Sequence, residues 1–184
     1  MKRHLSDYTF LLTIAGLVVL LDQIGKHMVR TLLPPSATWA PWQWMLEYAR
    51  FAHVQNTGAA FGMFQGMNSV FTILAIVVSI AILYYFPLIP REDLLIRIAL
   101  SLQLGGALGN LIDRLARGYV TDYIALGSFA VFNIADASIS IGTVLLLLGM
   151  WLKERKIQAA KRQIAPSADS ENPSQVVPEE AKGE

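Results

Sequence analysis

The sequence predicts an all-α integral membrane protein with four transmembrane helices and a small extracytoplasmic β element. Composition is the first reason. The 184 residues are 54% hydrophobic and 16% charged, with a mean hydropathy of +0.44, whereas a soluble domain carries about 25% charged residues. Four apolar stretches are the second reason: Tyr8–Val29, Val70–Pro87, Leu94–Leu111 and Ile134–Leu152. Each is near the ~20 residues that cross a hydrocarbon layer of ~30 Å. None alternates with period 2, so the stretches read as helices and not as barrel strands.

The first stretch follows Lys2 and Arg3 and has the look of a signal peptide. It runs on through Asp22 and Lys26 without a small-x-small cleavage site, so it is expected to remain as a helix. The connection Leu32–Ser69 holds Trp39, Trp42, Trp44, Tyr48 and Phe51. Such rings suit an aromatic belt at headgroup depth, a role compatible with a lipid-binding surface. Met45–Val54 is mixed enough for short strands, and Tyr119–Ile124 with Phe129–Phe132 frames a hairpin around Ala125–Ser128. Beyond Trp151, Lys153–Arg162 is a basic juxtamembrane stretch that can prolong the last helix. Ile164–Glu184 is rich in Pro, Ser and Glu and is expected to be disordered. The organisation expected is one four-helix domain over residues 1–163 and a cytoplasmic tail over 164–184.

Basic residues set the orientation. With four spans, the N-terminus, the Pro87–Asp93 turn and the C-terminal segment share one side, which holds nine Lys and Arg residues. Arg30–Ser69 and Asp113–Asn133 face the other side and hold four, Arg30, Arg50, Arg114 and Arg117. The richer side should be cytoplasmic, with both termini inside.

A net charge of +1 and the lack of a basic face argue against a nucleic-acid partner. There is no Cys, hence no thiolate nucleophile and no Cys-based metal site. His4, His27 and His53 form no HExxH and no pair at helical ligand spacing, so no metal and no cofactor is expected.

What chemistry there is gathers in Gly105–Asp136, where Asn110, Asp113, Arg114, Asp122, Asn133 and Asp136 interrupt an apolar chain. Polar and ionisable groups beside membrane spans default to a functional reading. Asn110 with Asp113, and Asn133 with Asp136, are spaced i, i+3 and would each share a helix face. Taken singly, these groups have plain structural readings. Asp22 and Lys26 at i, i+4 can neutralise one another, with support of the site as the alternative. Asn56 can cap a loop or present its amide to substrate. Gly105, Gly106 and Gly109 can admit a neighbouring helix. Asp113 can pair with Arg114 or Arg117, and Asp136 suits a first helical turn. Asp122 has no basic neighbour in sequence. It is expected to meet Asp136 as a carboxylate pair, one acting as base on water and the other as acid. Arg114 and Asn56 or Asn133 could then hold substrate carbonyls. Other classes are a small transporter with Asp22, Lys26 and Asp136 as a relay, or a non-enzymatic assembly factor that docks through its outer loop.

LDQIGK (Leu21–Lys26), NTGAAFG (Asn56–Gly62), GGALGNLIDR (Gly105–Arg114), VTDY (Val120–Tyr123) and FNIAD (Phe132–Asp136) occur in this order across the four spans. Together they resemble the lipoprotein signal peptidase family, also called signal peptidase II, over roughly Leu12–Leu152. The resemblance implies a bacterial inner-membrane aspartic endopeptidase. It would remove the signal peptide of diacylglyceryl-modified prolipoproteins, cutting just before the lipid-modified Cys. It implies Asp122 and Asp136 as the catalytic pair and Asp22, Asn56, Asn110, Asp113, Arg114 and Asn133 as supporting residues. Lys26 joins them as the partner of Asp22. It further implies an active site at the outer, periplasmic face among membrane lipids, inhibition by globomycin, and a monomer that suffices.

Overall fold

The computed structural model describes residues 2–58 and 63–164. The tail expected to be disordered, apart from Ile164, and Ala59–Gly62 of the NTGAAFG stretch lie outside the described residues. Contacts divide the chain into two units, Met1–Met150 and Trp151–Glu184. The elements run α1 (Lys2–Leu32), β1 (Thr38–Trp39), β2 (Ala49–Asn56), α2 (Asn68–Tyr85), α3 (Leu94–Arg117), β3 (Val120–Leu126) and α4 (Ile134–Ile164). Each of the four helices contains a stretch long and apolar enough to cross a membrane.

α3 is the helix around which the first unit packs. Half of its most apolar window is buried, against 22% for α1 and 17% for α2. Its small residues permit this. A β-carbon on Gly105 would stand 2.7 Å from Val18 of α1, and one on Gly106 would strike the carbonyl oxygen of Ala135 at the start of α4. Glycines there let backbones approach, which is how helices associate without a water-driven hydrophobic term. Leu11, Ala15, Ile82, Phe86 and Leu104 form the apolar core between α1, the end of α2 and α3.

At the N-terminal end of α1, buried Asp7 accepts from Arg97 of α3 at 2.9 Å and from Arg91 at 3.0 Å. The Arg97 guanidinium lies 5.3 Å from the Phe10 ring and 4.6 Å from the Phe86 ring. Charge pairing and ring stacking together offset the desolvation of a buried cation.

At the other end of α1 sits an antiparallel sheet in the order β1-β2-β3. His53 of β2 ties it to the helix: its Nδ1–H donates to the carbonyl of Leu33 at 2.7 Å. α3 stops at Gly118, whose φ of 77° is left-handed and whose N–H donates to Arg114 at 3.0 Å. Glycine suits that left-handed position because it has no Cβ to clash. Only Gly118 and Tyr119 therefore separate α3 from β3.

The elements differ from the sequence reading mainly at their ends. α3 continues six residues past Leu111, so Asp113 and Arg114 are helical as well as Asn110. α4 runs through the basic stretch to Ile164. Within it Arg155 lies over the Trp151 ring at 4.6 Å, and Gln158 donates to Glu154 at 2.9 Å. The expected partner of Tyr119–Ile124 was Phe129–Phe132. In the fold β3 pairs chiefly with β2, and Phe132 adds only an isolated bridge to Ile124. The chain leaves the sheet there because the next helix begins at Ile134.

Gly106 should be intolerant of added volume. Gly106→Ala would push α4 from α3 and is expected to cost about 1–3 kcal/mol, the usual penalty of overpacking. Gly16→Ala, where nothing lies within 4 Å of the new carbon, should be neutral or stabilising. Thermal unfolding of both in detergent checks the contrast.

Candidate active site

Asn133 stands immediately before α4 and caps it. Its Oδ1 accepts the Asp136 N–H at 2.9 Å, and Asp136 Oδ2 accepts the Asn133 N–H at 3.2 Å. This is a reciprocal capping box. The i, i+3 pair thus meets across a helix start and not along a helix face. The Asn133 amide also donates to Asp122 Oδ1 at 2.7 Å. One asparagine therefore touches both carboxylates expected from the sequence to pair. Asp122 comes from β3, opposite Val54 of β2. Its other oxygen accepts from Asn56, two residues along that strand, at 2.9 Å.

Asn110 of α3 completes the link. Its amide nitrogen donates to Asp136 Oδ1 at 2.8 Å, and its carbonyl oxygen accepts from Asn133 at 3.2 Å and from Lys26 at 2.9 Å. Lys26 has donors only, so the Asn110 atom facing it must be oxygen and the atom facing Asp136 must be nitrogen. Likewise the Asp136 backbone N–H obliges Asn133 to turn its oxygen there and its nitrogen to Asp122. These two groups thus set which way the Asn110 and Asn133 amides face the carboxylates.

Lys26 and Asp22 of α1 and Asp113 of α3 are fully buried. The Lys26 ammonium meets Asp22 at 2.8 Å and Asp113 at 3.5 Å. Asp113 also meets Arg30 at 3.3 Å and Arg117 at 3.2 Å, and accepts the Thr121 N–H at 3.0 Å. That last bond fixes β3 one residue before Asp122. Asp22 accepts the Ala135 N–H at 3.0 Å, which fixes the start of α4 one residue before Asp136. The same Asp22 oxygens leave no room at Gly109, where a β-carbon would lie 2.7 Å from Oδ2. The network thus holds both carboxylate-bearing segments on α1 and α3.

Both carboxylates open on a cavity of about 510 Å³. Asn56, Asn110 and Arg114 line its polar side, and Phe129, Val131, Ile139 and Ile141 its apolar side. Arg114 lies 5.5 Å over the Phe71 ring and reaches the Gly58 carbonyl at 3.4 Å. Its Nε has no acceptor among the described residues, so it keeps donor capacity beside the cavity. Burial, then the nearby charge of Asp136, pushes the Asp122 carboxyl up to about 7, against the pull of Asn56 and Asn133. Burial also raises the phenol of neighbouring Tyr123. A carboxyl that titrates near neutrality can serve as an acid and a base under ordinary conditions.

All nine residues singled out from the sequence fall in this region: Asp22, Lys26, Asn56, Asn110, Asp113, Arg114, Asp122, Asn133 and Asp136. Asp113 pairs with Arg117 and not with Arg114, which leaves Arg114 to the cavity. Arg30 and Thr121 were not singled out, yet Arg30 donates to Thr121 at 3.1 Å and braces Asp113. Extending the Asp22–Lys26 spacing by one more i+4 step would have reached Arg30.

Lys26→Met should be severely destabilising, by about 3–5 kcal/mol, because it leaves a carboxylate buried without its counter-charge. Asp22→Asn in the same chain should restore more than half of that loss, since the two residues act as a unit. Strictly additive losses in denaturant or thermal unfolding would contradict the proposed coupling.

The family described as Signal peptidase (SPase) II matches residues 14–152. A lipoprotein signal peptidase of Moorella thermoacetica is 40% identical over 135 residues, covering 73% of this chain and 88% of the relative. That of Halothermothrix orenii is 38% identical over 140 residues, covering 76% and 93%. A solved bacterial membrane enzyme superposes with a TM-score of 0.72 at 32% identity, covering 78% of this chain and 88% of its own. A second gives 0.67 at 33% identity, covering 76% and 91%. A match to most of the chain in sequence and in fold leads to one conclusion: the chain belongs to the signal peptidase II family.

Proposed function

We propose that this protein is a membrane aspartic endopeptidase that removes the signal peptide from prolipoproteins, with Asp122 and Asp136 as its catalytic pair. The observation that carries the reading is Asn133, whose side-chain amide donates to Asp122 and whose backbone N–H donates to Asp136, where both carboxylates line a half-apolar cavity. The names of the relatives support the substrate class.

In this mechanism the pair holds one proton, weighted to Asp122. The ionised carboxylate takes a proton from water as its oxygen attacks the scissile carbonyl. The protonated carboxyl gives its proton to the carbonyl oxygen, and the gem-diol collapses with proton transfer to the departing amine. Arg114 and Asn56 hold substrate carbonyls by hydrogen bonds. Asp22, Lys26, Asn110 and Asp113 act through the positions of the two aspartates. The apolar cavity wall receives the apolar signal peptide. No metal or cofactor takes part.

The enzyme would work in the bacterial inner membrane with both termini cytoplasmic, as the distribution of Lys and Arg favours. The aspartates would then lie at the outer surface, level with a diacylglyceryl group anchored in that leaflet. Anchoring presents the bond before the lipid-modified Cys to the pair, and such positioning can supply several kcal/mol of the barrier. A globomycin-type inhibitor would occupy the same cavity, and a monomer contains every residue invoked.

Cleavage of a diacylglyceryl-modified prolipoprotein by purified protein tests the reading. Asp122→Asn and Asp136→Asn should each lose at least ~10³-fold in turnover while folding normally, because each removes one half of the acid–base pair. Turnover of the parent should decline as pH rises through about 7, where Asp122 gives up its proton. Unmodified prolipoprotein should be a poor substrate. Near-normal cleavage by either variant would exclude the mechanism.

A further inference from the structure

A second cavity of about 510 Å³ lies between the last turns of α1 and the sheet. Gly25, Met28, Leu32, Trp39, Phe51 and Tyr123 line it, and among the described residues no charged side chain does. It shares no lining residue with the cavity of the carboxylates. Tyr123 and Asp122 are adjacent on β3, and side chains alternate across a strand. The two cavities therefore lie on opposite faces of the same strand.

What would cover this cavity follows from α1. Leu17, Leu21, Ile24, Met28 and Leu32 are exposed apolar residues at spacings of three and four, so they form one stripe along the helix. On a membrane-spanning helix, such a stripe is in contact with lipid tails. Met28 and Leu32 belong both to the stripe and to the cavity wall. The cavity is therefore the upper continuation of a lipid-covered surface, roofed by Trp39 and Phe51, whose rings stack at 6.1 Å.

We propose that the cavity formed by α1, Trp39, Phe51 and Tyr123 is a binding site for one acyl chain of a bilayer phospholipid. The chain rises along the α1 stripe and ends against the sheet, on the face of β3 that turns away from Asp122. The separate linings of the two cavities favour a bilayer phospholipid over the lipid of a substrate. The proposal needs only that α1 spans the bilayer and does not depend on the peptidase reading.

A fluorescence titration tests it without measuring cleavage. Trp42, Trp44 and Trp151 are exposed and can be replaced by Phe, which leaves Trp39 as the single tryptophan. Phosphatidylglycerol with dibrominated acyl chains is then added to the protein in detergent. The expected result is quenching that saturates near one lipid per protein. Val29 also lines the cavity, and Val29→Phe, which fills it, should weaken that phase at least tenfold, whereas Ile80→Phe, on the exposed face of α2, should not. If Val29→Phe does not fold, Leu33→Phe serves as the filling variant, and saturation in the parent is decisive by itself. Quenching that grows in proportion to lipid without saturating would overturn the proposal. So would quenching by a brominated diacylglyceryl-modified peptide but not by phospholipid. Trp39 shielding that depends on protein concentration and not on lipid would mean that a second copy covers the face, and would also overturn it.

Discussion

The arrangement depends on Asn133, where the chain leaves the sheet and enters a helix. Its backbone and side chain cap α4 through Asp136, and its remaining amide hydrogens reach Asp122 and Asn110. Two carboxylates brought together in a poorly hydrated place repel each other and lose their water. Each therefore needs donors, and Asn133 supplies one to both. A helix N-terminus also favours negative charge at its first turn, so the position of Asp136 is stabilising for α4 before any chemistry is considered. Local helix capping and site assembly are the same set of bonds.

The buried charges below the site give that bridge its direction. Lys26 can only donate, and its ammonium fixes the Asn110 amide with nitrogen toward Asp136. Asp22 and Asp113 balance Lys26 and also hold the backbone at Ala135 and Thr121, each one residue before an aspartate. Buried ion pairs are weak sources of net stability, since desolvation offsets much of the attraction. Their contribution here is geometric: a cluster anchored on α1 and α3 sets where β3 and α4 present Asp122 and Asp136.

Much of this was legible in the sequence, and the misses have physical causes. Hydropathy located the four spans because each helix must fill a hydrocarbon layer. It ended α3 at Leu111, too early, because Asp113, Arg114 and Arg117 follow, yet those groups find partners in the fold and remain helical. β2 was hard to delimit because the register shifts between Phe51 and Val54, which breaks the alternation a strand normally displays. The residues that gather at the candidate site stood out in the sequence by their types, their spacing and their resemblance to a family. Arg30 and Thr121 were not, because their roles depend on which faces α1 and β3 turn toward Asp113. Sequence spacing gave Asn133 a helical face; its actual position before the helix is what lets it bridge two elements.

The central claim is that the bridged pair holds one proton near neutral pH, weighted to Asp122. Infrared difference spectroscopy of the folded protein across a pH titration reads this directly, through the carbonyl stretch of a protonated carboxyl. The account predicts such a band with a midpoint at about 7, absent from Asp122→Asn. A pair fully ionised at pH 6, with no carboxyl band titrating above the ordinary aspartate range, would contradict it.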